Sequence, residues 1–154
     1  METVIIAPHP DDEIIGCSQI LEKTKPIIIY DGDTPPDRRE EVKKLKEHTE
    51  VKIQLFQKSI PPNFLSKDCV LYIPDPYFET HPLHRRWGAI GEQVAREGHN
   101  VVFYTTNMNA PYIHEVSNPA GKESLLNTVY DSQRDLWRYE KKYILFEGYV
   151  QWLF

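Results

Sequence analysis

The sequence predicts an α/β fold, a Rossmann-like three-layer sandwich with a mostly parallel sheet. Three observations carry this reading. Val4-Ile5-Ile6-Ala7 and Ile27-Ile28-Ile29-Tyr30 are uninterrupted apolar runs, the mark of strands covered on both faces. Segments of helical periodicity separate these runs. Acidic and histidine residues gather just after the strands, where an open parallel sheet binds its ligands.

The elements follow in order. Val4 to Ala7 is a buried strand. Glu13 to Lys23 carries Ile14, Cys17 and Leu21 on one helical face. Pro26 opens a second strand, Ile27 to Tyr30, which ends at Asp31-Gly32-Asp33. Pro35-Pro36 starts a charged helix that runs to about His48, because proline suits the first helical turn. Val51 to Phe56 is a third strand, Pro61 to Lys67 a loop, and Cys69 to Ile73 a fourth strand ended by Pro74-Asp75-Pro76. Pro82 opens a helix whose inner face carries Trp87, Ile90 and Val94, and Gly98 stops it. Val101 to Tyr104 is a fifth strand. A longer helix is expected from about Ala120 to Tyr139, with Leu126, Val129, Gln133 and Trp137 at helical spacing. Tyr143 to Phe146 reads as the last strand.

Composition narrows the class. A chain of 154 residues reads as one domain, 1–154, with mass enough for a real core. A net charge of −5 disfavours a nonspecific hold on nucleic acid or acidic lipid. Cys17 and Cys69 form no CxxC and read as reduced thiols of a cytoplasmic protein. Met1 runs straight into the first strand with no basic leader, and no apolar run would span a bilayer. The expectation is a cytoplasmic protein without signal peptide or membrane span. No internal repeat or linker is visible.

The chemistry concentrates at His9-Pro10-Asp11-Asp12-Glu13. Carboxylates packed this tightly repel, and a cation among them lets them stay charged together. The adjacent imidazole makes a mixed nitrogen and oxygen donor set, which suits zinc. His81-Pro82-Leu83-His84 offers two further imidazoles on a short turn. Following the first and fourth strands, these segments open on one rim of the sheet, as does Asp31-Gly32-Asp33. They read as one divalent metal site that keeps a water.

Pro8-His9-Pro10-Asp11-Asp12-Glu13 with a downstream His-Pro-x-His resembles the PIG-L/LmbE-like zinc-dependent deacetylase family, whose members remove acetyl groups from N-acetylglucosamine conjugates and related amides. The resemblance covers most of the chain. Arg38 to Glu41 is similar to the family's Arg-x-x-Glu segment. Lys122 to Gln133, with Tyr130-Asp131-Ser132-Gln133, is similar to its late helix, and Glu147 sits where the family often has a closing acid. The resemblance implies His9, Asp12 and His84 as ligands of one zinc ion per chain, Asp11 as general base and His81 as an oxyanion stabiliser. Iron(II) or cobalt suits the same donors. Arg38 is implied as a substrate contact, Asp33 is a candidate for orienting substrate, and Glu13 supports the ligands without joining them. The implied partner is a small N-acyl amino sugar or glycoconjugate, and a homo-oligomer is compatible with the sequence.

Two departures stand out. The family usually has Asp between the two histidines, where this chain has Leu83, leaving Glu79 or Asp75 as the acids nearest in sequence to His81. It also favours small glycines after Gly16, where this chain has Ser18-Gln19. Plainer readings compete. Asp11 and Asp12 are common helix caps. Arg38 and Arg39 lie in a charge-rich helix with a solvated face. Trp87, Trp137 and Trp152 read as core or association surface, His48 and His99 as surface residues, and His114 as a surface residue with a place lining the pocket, near the fifth strand's rim, as its alternative. Three functions compete: a zinc amide hydrolase acting on an N-acyl amino sugar, the same chemistry on a non-sugar N-acyl amine such as a modified nucleoside, and a metal-binding module that has lost turnover.

Overall fold

The computed structural model describes residues 2–154 and is α/β, with a seven-stranded, mostly parallel sheet. In chain order its elements are β1 (Thr3–Ala7), α1 (Asp12–Lys23), β2 (Ile27–Asp31), α2 (Pro36–His48), β3 (Lys52–Phe56), β4 (Val70–Pro74) and α3 (Pro82–Arg96). There follow β5 (Asn100–Tyr104), β6 (Ile113–Glu115), α4 (Pro119–Val129), a 3-10 turn (Asp131–Gln133), α5 (Arg134–Tyr139), α6 (Lys142–Leu145) and β7 (Phe146–Val150). Among the described residues no helix is long and apolar enough to cross a membrane.

The strand order is β3-β2-β1-β4-β5-β7-β6. The first five strands pair in parallel; β7 runs antiparallel to β5, and β6 antiparallel to β7. The order reverses direction between β1 and β4. A crevice opens at such a switch point, because the helices leaving the two strands turn to opposite faces. Two apolar clusters follow that division. Ile5 and Ala7 of β1 pack with Ile14, Leu45 and Leu126 from α1, α2 and α4. Val4 and Ile6 pack with Trp87 and Val94 from α3. Alternation along one buried strand thus supplies both cores.

Close approach shapes α1. A Cβ on Gly16 would lie 2.3 Å from the Tyr104 ring, so only glycine lets helix and sheet meet there. One residue on, Cys17 leaves helical geometry with φ −136°. Both cysteines are free and buried, in different clusters. Trp87 and Trp137 are core residues, whereas Trp152 packs partly buried against the α3-side cluster.

Two expectations are corrected. The helix predicted from Ala120 to Tyr139 breaks after Val129. At the break Ser132 gives both its N–H and its hydroxyl to Glu41, while Tyr130, whose N–H still donates to Leu126 O, sends its hydroxyl to Glu13. The strand predicted at Tyr143 to Phe146 lies further on, at Phe146–Val150, and a helical turn, α6, precedes it. Glu147 hides this strand from an apolarity reading. Its carboxylate is fully buried and lies 2.9 Å from the equally buried Lys122 Nζ. Ser18 and Tyr149 also donate their hydroxyls to it. The short β6 was not expected at all, and β3, read as an ordinary strand, has largely exposed side chains.

The Lys122–Glu147 pair ties α4 to β7, and Lys122 also donates to Ile15 O of α1 at 2.6 Å. Removing one member strands the other charge in the core. Lys122→Met should therefore cost about 3–5 kcal/mol in urea unfolding, and adding Glu147→Leu should recover part of that loss. Wild-type stability in Lys122→Met would show that the pair holds nothing together.

Candidate metal centre

The turn after β1 has one conformation built into it. Asp11 sits at φ 111°, in the left-handed region, which costs a non-glycine residue about 1–3 kcal/mol. Its neighbours hold it there. Asp11 N donates to Glu13 Oε2 at 3.1 Å, and Asp11 O accepts from Ile14 N and Ile15 N. The Arg38 guanidinium reaches across from α2 to donate to Pro10 O. The Asp11 side chain makes no helix-capping bond, so capping does not explain it.

Glu13 supports this turn. Its Oε1 accepts from Tyr30 OH at 2.8 Å and from Tyr130 OH. Burial pushes its pKa up to about 7, while the tyrosine hydroxyls pull the other way. Both oxygens are thus committed away from the histidines.

The histidines His9, His81 and His84 each bring one ring nitrogen within 4.8 Å of the others, a group that could hold a metal ion. The Asp12 carboxylate enters the same space. His9 Nδ1 lies 3.0 Å from His84 Nε2, His84 Nε2 lies 3.0 Å from Asp12 Oδ2, and His9 Nδ1 lies 3.4 Å from Asp12 Oδ2. Donors bonded at about 2.0–2.1 Å to a tetrahedral zinc lie about 3.3 Å apart, so this triangle has the size of one tetrahedral face.

Second partners of the rings favour Asp12 over His81 as the third donor. His84 Nδ1 lies 3.3 Å from Glu79 Oε1 and 3.2 Å from Thr106 Oγ1. Glu79 is itself held by the Thr106 N–H and hydroxyl, at 2.9 and 2.7 Å. A carboxylate on Nδ1–H leaves Nε2 as the lone pair for a metal. His81 is the reverse case. Its Nδ1 accepts Leu83 N–H at 3.1 Å, so in the neutral ring Nε2 carries the proton and is a donor.

Burial and the flanking rings also lower the His81 pKa, which keeps the ring neutral. Neither acid suggested for it by the sequence bonds to the ring, and the charge of Glu79 does not outweigh burial. Glu79 is engaged with His84, and Asp75 accepts from Tyr112 OH and Trp152 Nε1. Leu83 packs against the α3-side core instead.

The remaining candidates divide. Asp11 lines the cleft, and its Oδ2 lies 3.7 Å from Arg38 NH2. Burial raises its pKa, and the charges of Asp12 and Glu13 add to that. Asp12 goes the other way: burial opposes its charge, but the His84 and His9 rings outweigh burial and hold it below the usual carboxylate range. Arg38 lines the cleft with its Nε 3.1 Å from Glu41 Oε1, so its charge is already shared between two acids. Asp33 is not brought to the cleft. It is exposed, 3.7 Å from Lys58 Nζ. Its position after β2 suggested the rim, but the turn carries it outward. His114 lies away from the cleft, beside Gln19 Nε2 at 3.1 Å.

The cleft measures about 360 Å³, and its other walls include Thr106, Asn107, Gln133, Leu136 and Tyr143. Thr106 was not legible in the sequence, since a lone threonine after a strand carries no signal. The chain matches no known protein-family model, no curated protein and no solved structure.

Two predictions follow from this geometry. Without metal, burial disfavours a charge on His84, but Asp12 and Glu79 outweigh it and push its pKa up to about 10. At neutral pH both its ring nitrogens then carry protons, and a metal must displace the one on Nε2. Uptake of a divalent ion should release a proton, and affinity should rise with pH up to that value. Calorimetry in buffers of different ionisation enthalpy counts the protons. A count of zero, or full metal retention by an Asp12→Ala, His84→Ala double variant, would move the site. Introducing an acid with Leu83→Asp should lower stability by about 1–3 kcal/mol, because the carboxylate would face apolar neighbours. Thermal melts decide, and an unchanged melting temperature would mean that Leu83 contributes no packing.

Proposed function

We propose that this protein is a zinc-dependent hydrolase that removes an acetyl or other acyl group from an amide nitrogen, most readily that of an N-acetylglucosamine-type amino sugar. In the same reading, its α/β fold is the Rossmann-like three-layer sandwich of the PIG-L/LmbE-like deacetylases. One observation carries the proposal: a metal-sized triangle of His9, Asp12 and His84 donors with the unbonded carboxyl of Asp11 beside it. Two further segments that resemble the family reach this turn, and a bond joins them to each other. Arg38 holds Pro10, Tyr130 holds Glu13, and Glu41 holds Ser132.

A bound divalent ion would supply an acidified water and polarise the amide carbonyl. The chain's own groups do the rest. Asp11 takes the water's proton and returns it to the departing amine, which a raised carboxyl pKa assists. Arg38 restrains Asp11 through its guanidinium and, lining the cleft, also contacts substrate. His81 donates Nε2–H to the carbonyl oxygen as charge grows there, while Leu83 N–H fixes the tautomer. Glu79 and Thr106 hold His84 in orientation. A cleft of about 360 Å³ suits a small molecule such as one sugar ring with its acyl group.

Asp11→Asn should keep fold and metal yet lose turnover by about 10²–10⁴-fold, because an amide cannot accept the proton. A panel of N-acetyl sugars and non-sugar N-acyl amines, run with and without chelator, reads this out. Undiminished kcat in metal-loaded Asp11→Asn would remove Asp11 from the mechanism. No turnover of any amide by the metal-loaded wild type would overturn the proposal.

A further inference from the structure

The sheet has one open edge of useful length. β3 is the terminal strand and pairs only with β2, whereas β6 at the opposite edge has three residues. The register fixes which groups face outward. Lys52 N donates to Pro26 O, and Phe56 O accepts from Gly32 N, so Lys52, Gln54 and Phe56 serve β2. In a parallel ladder the alternate residues turn the other way. The N–H and C=O of Ile53 and Leu55 therefore point off the edge, and no group among the described residues bonds to them.

Beside this edge lies a groove of about 270 Å³ between β3 and α2. Its floor is apolar, formed by Ile53, Leu55 and Val42, and Leu55 is 43% exposed. Its rim is cationic. Arg39, Lys43 and Lys46 line it at i, i+4 and i+7, one face of α2. Arg39 donates only to the carbonyls of Thr34 and Gly32, and no carboxylate among the described residues pairs with it or with Lys46. Lys43 meets Glu40 at 2.7 Å, but both side chains are 70% exposed, so that pair is weak. On a chain of net charge −5 this is a local reversal of sign.

We propose that the β3 edge docks an extended acidic segment of another protein. The segment adds as a strand along Ile53 and Leu55, buries an apolar side chain in the groove, and sets its carboxylates on Arg39, Lys43 and Lys46. Main-chain bonds supply affinity in this mode, and the flanking side chains supply selectivity. The metal centre takes no part, so the inference stands or falls apart from the proposed activity.

The test uses the full chain and fluorescent peptides of alternating Glu and Val, with an alternating Lys and Val peptide as control. The Glu peptide should bind in a salt-sensitive manner and slow amide exchange at Ile53 and Leu55. Lys43→Glu with Lys46→Glu should weaken binding about tenfold or more. Leu55→Pro should do the same while leaving the ladder to β2 whole, since the one backbone donor it deletes points outward and the leucine it removes lies on the groove floor. Thermal melts check that these variants are folded. Equal binding of the Lys peptide, no binding of the Glu peptide, or binding untouched by the folded variants would overturn the proposal. So would edge-dependent dimerisation of the protein with itself, abolished by Leu55→Pro, if the Glu peptide does not compete for it.

Discussion

Three consecutive buried carboxyl groups, Asp11, Asp12 and Glu13, are the constraint on which the rest of the structure depends. Left alone, like charges at this spacing would refuse burial. The fold gives each a different answer. Asp12 meets two imidazoles and stays ionised. Glu13 takes two tyrosine hydroxyls, a setting that serves it whether or not it keeps its proton. Asp11 has the most distant help, a guanidinium at 3.7 Å, and its pKa rises. Environments that drive neighbouring carboxyls apart in pKa assign them different roles. In the proposed activity Asp12 would be the donor to a cation, Glu13 the scaffold and Asp11 the proton carrier.

Those answers recruit the whole chain. His84 comes from α3, Tyr30 from β2, Arg38 from α2 and Tyr130 from the end of α4. The parallel order β2-β1-β4 puts the first and fourth strand ends side by side, which is why residues 75 positions apart have rings 3.0 Å from each other. The break in the late helix belongs to the same logic. Tyr130 ends the helix with its hydroxyl on Glu13, and Ser132 turns its N–H and hydroxyl to Glu41; these two acids hold the turn directly and through Arg38.

This explains what could and could not be read from the sequence. Val4 to Ala7 and Ile27 to Tyr30 were legible because strands buried on both faces must be apolar throughout. The His9 to Glu13 cluster was legible because its charge density needs explaining even in isolation. The partner of Glu79 was not: sequence distance favours His81, but the turn into α3 presents His84 to it. Strand β7 was displaced in the reading because its buried Glu147 has its counter-charge on α4, 25 residues earlier in the chain. Periodicity cannot anticipate a charge neutralised from another element. Asp33 shows the converse, since a position after a strand names the rim without naming which side chains turn inward.

Leu83 gives the clearest view of how the site balances packing against charge. With an acid there, the ring of His81 would be drawn toward a charged form. With leucine, the side chain joins the apolar cluster under α3, and the Leu83 N–H, rather than its side chain, orders the ring. His81 becomes a neutral donor of fixed tautomer, with burial and two neighbouring imidazoles opposing any proton it might gain. A neutral donor offers a weaker field to a growing oxyanion than an imidazolium would. In the proposed centre it would also add no positive charge beside the donors, leaving the attraction of a divalent cation to Asp12 undiminished. Leu83 is therefore coherent with the cluster it borders: Asp12 already supplies an ionised donor there, and an acid at position 83 would face apolar neighbours without a partner of its own.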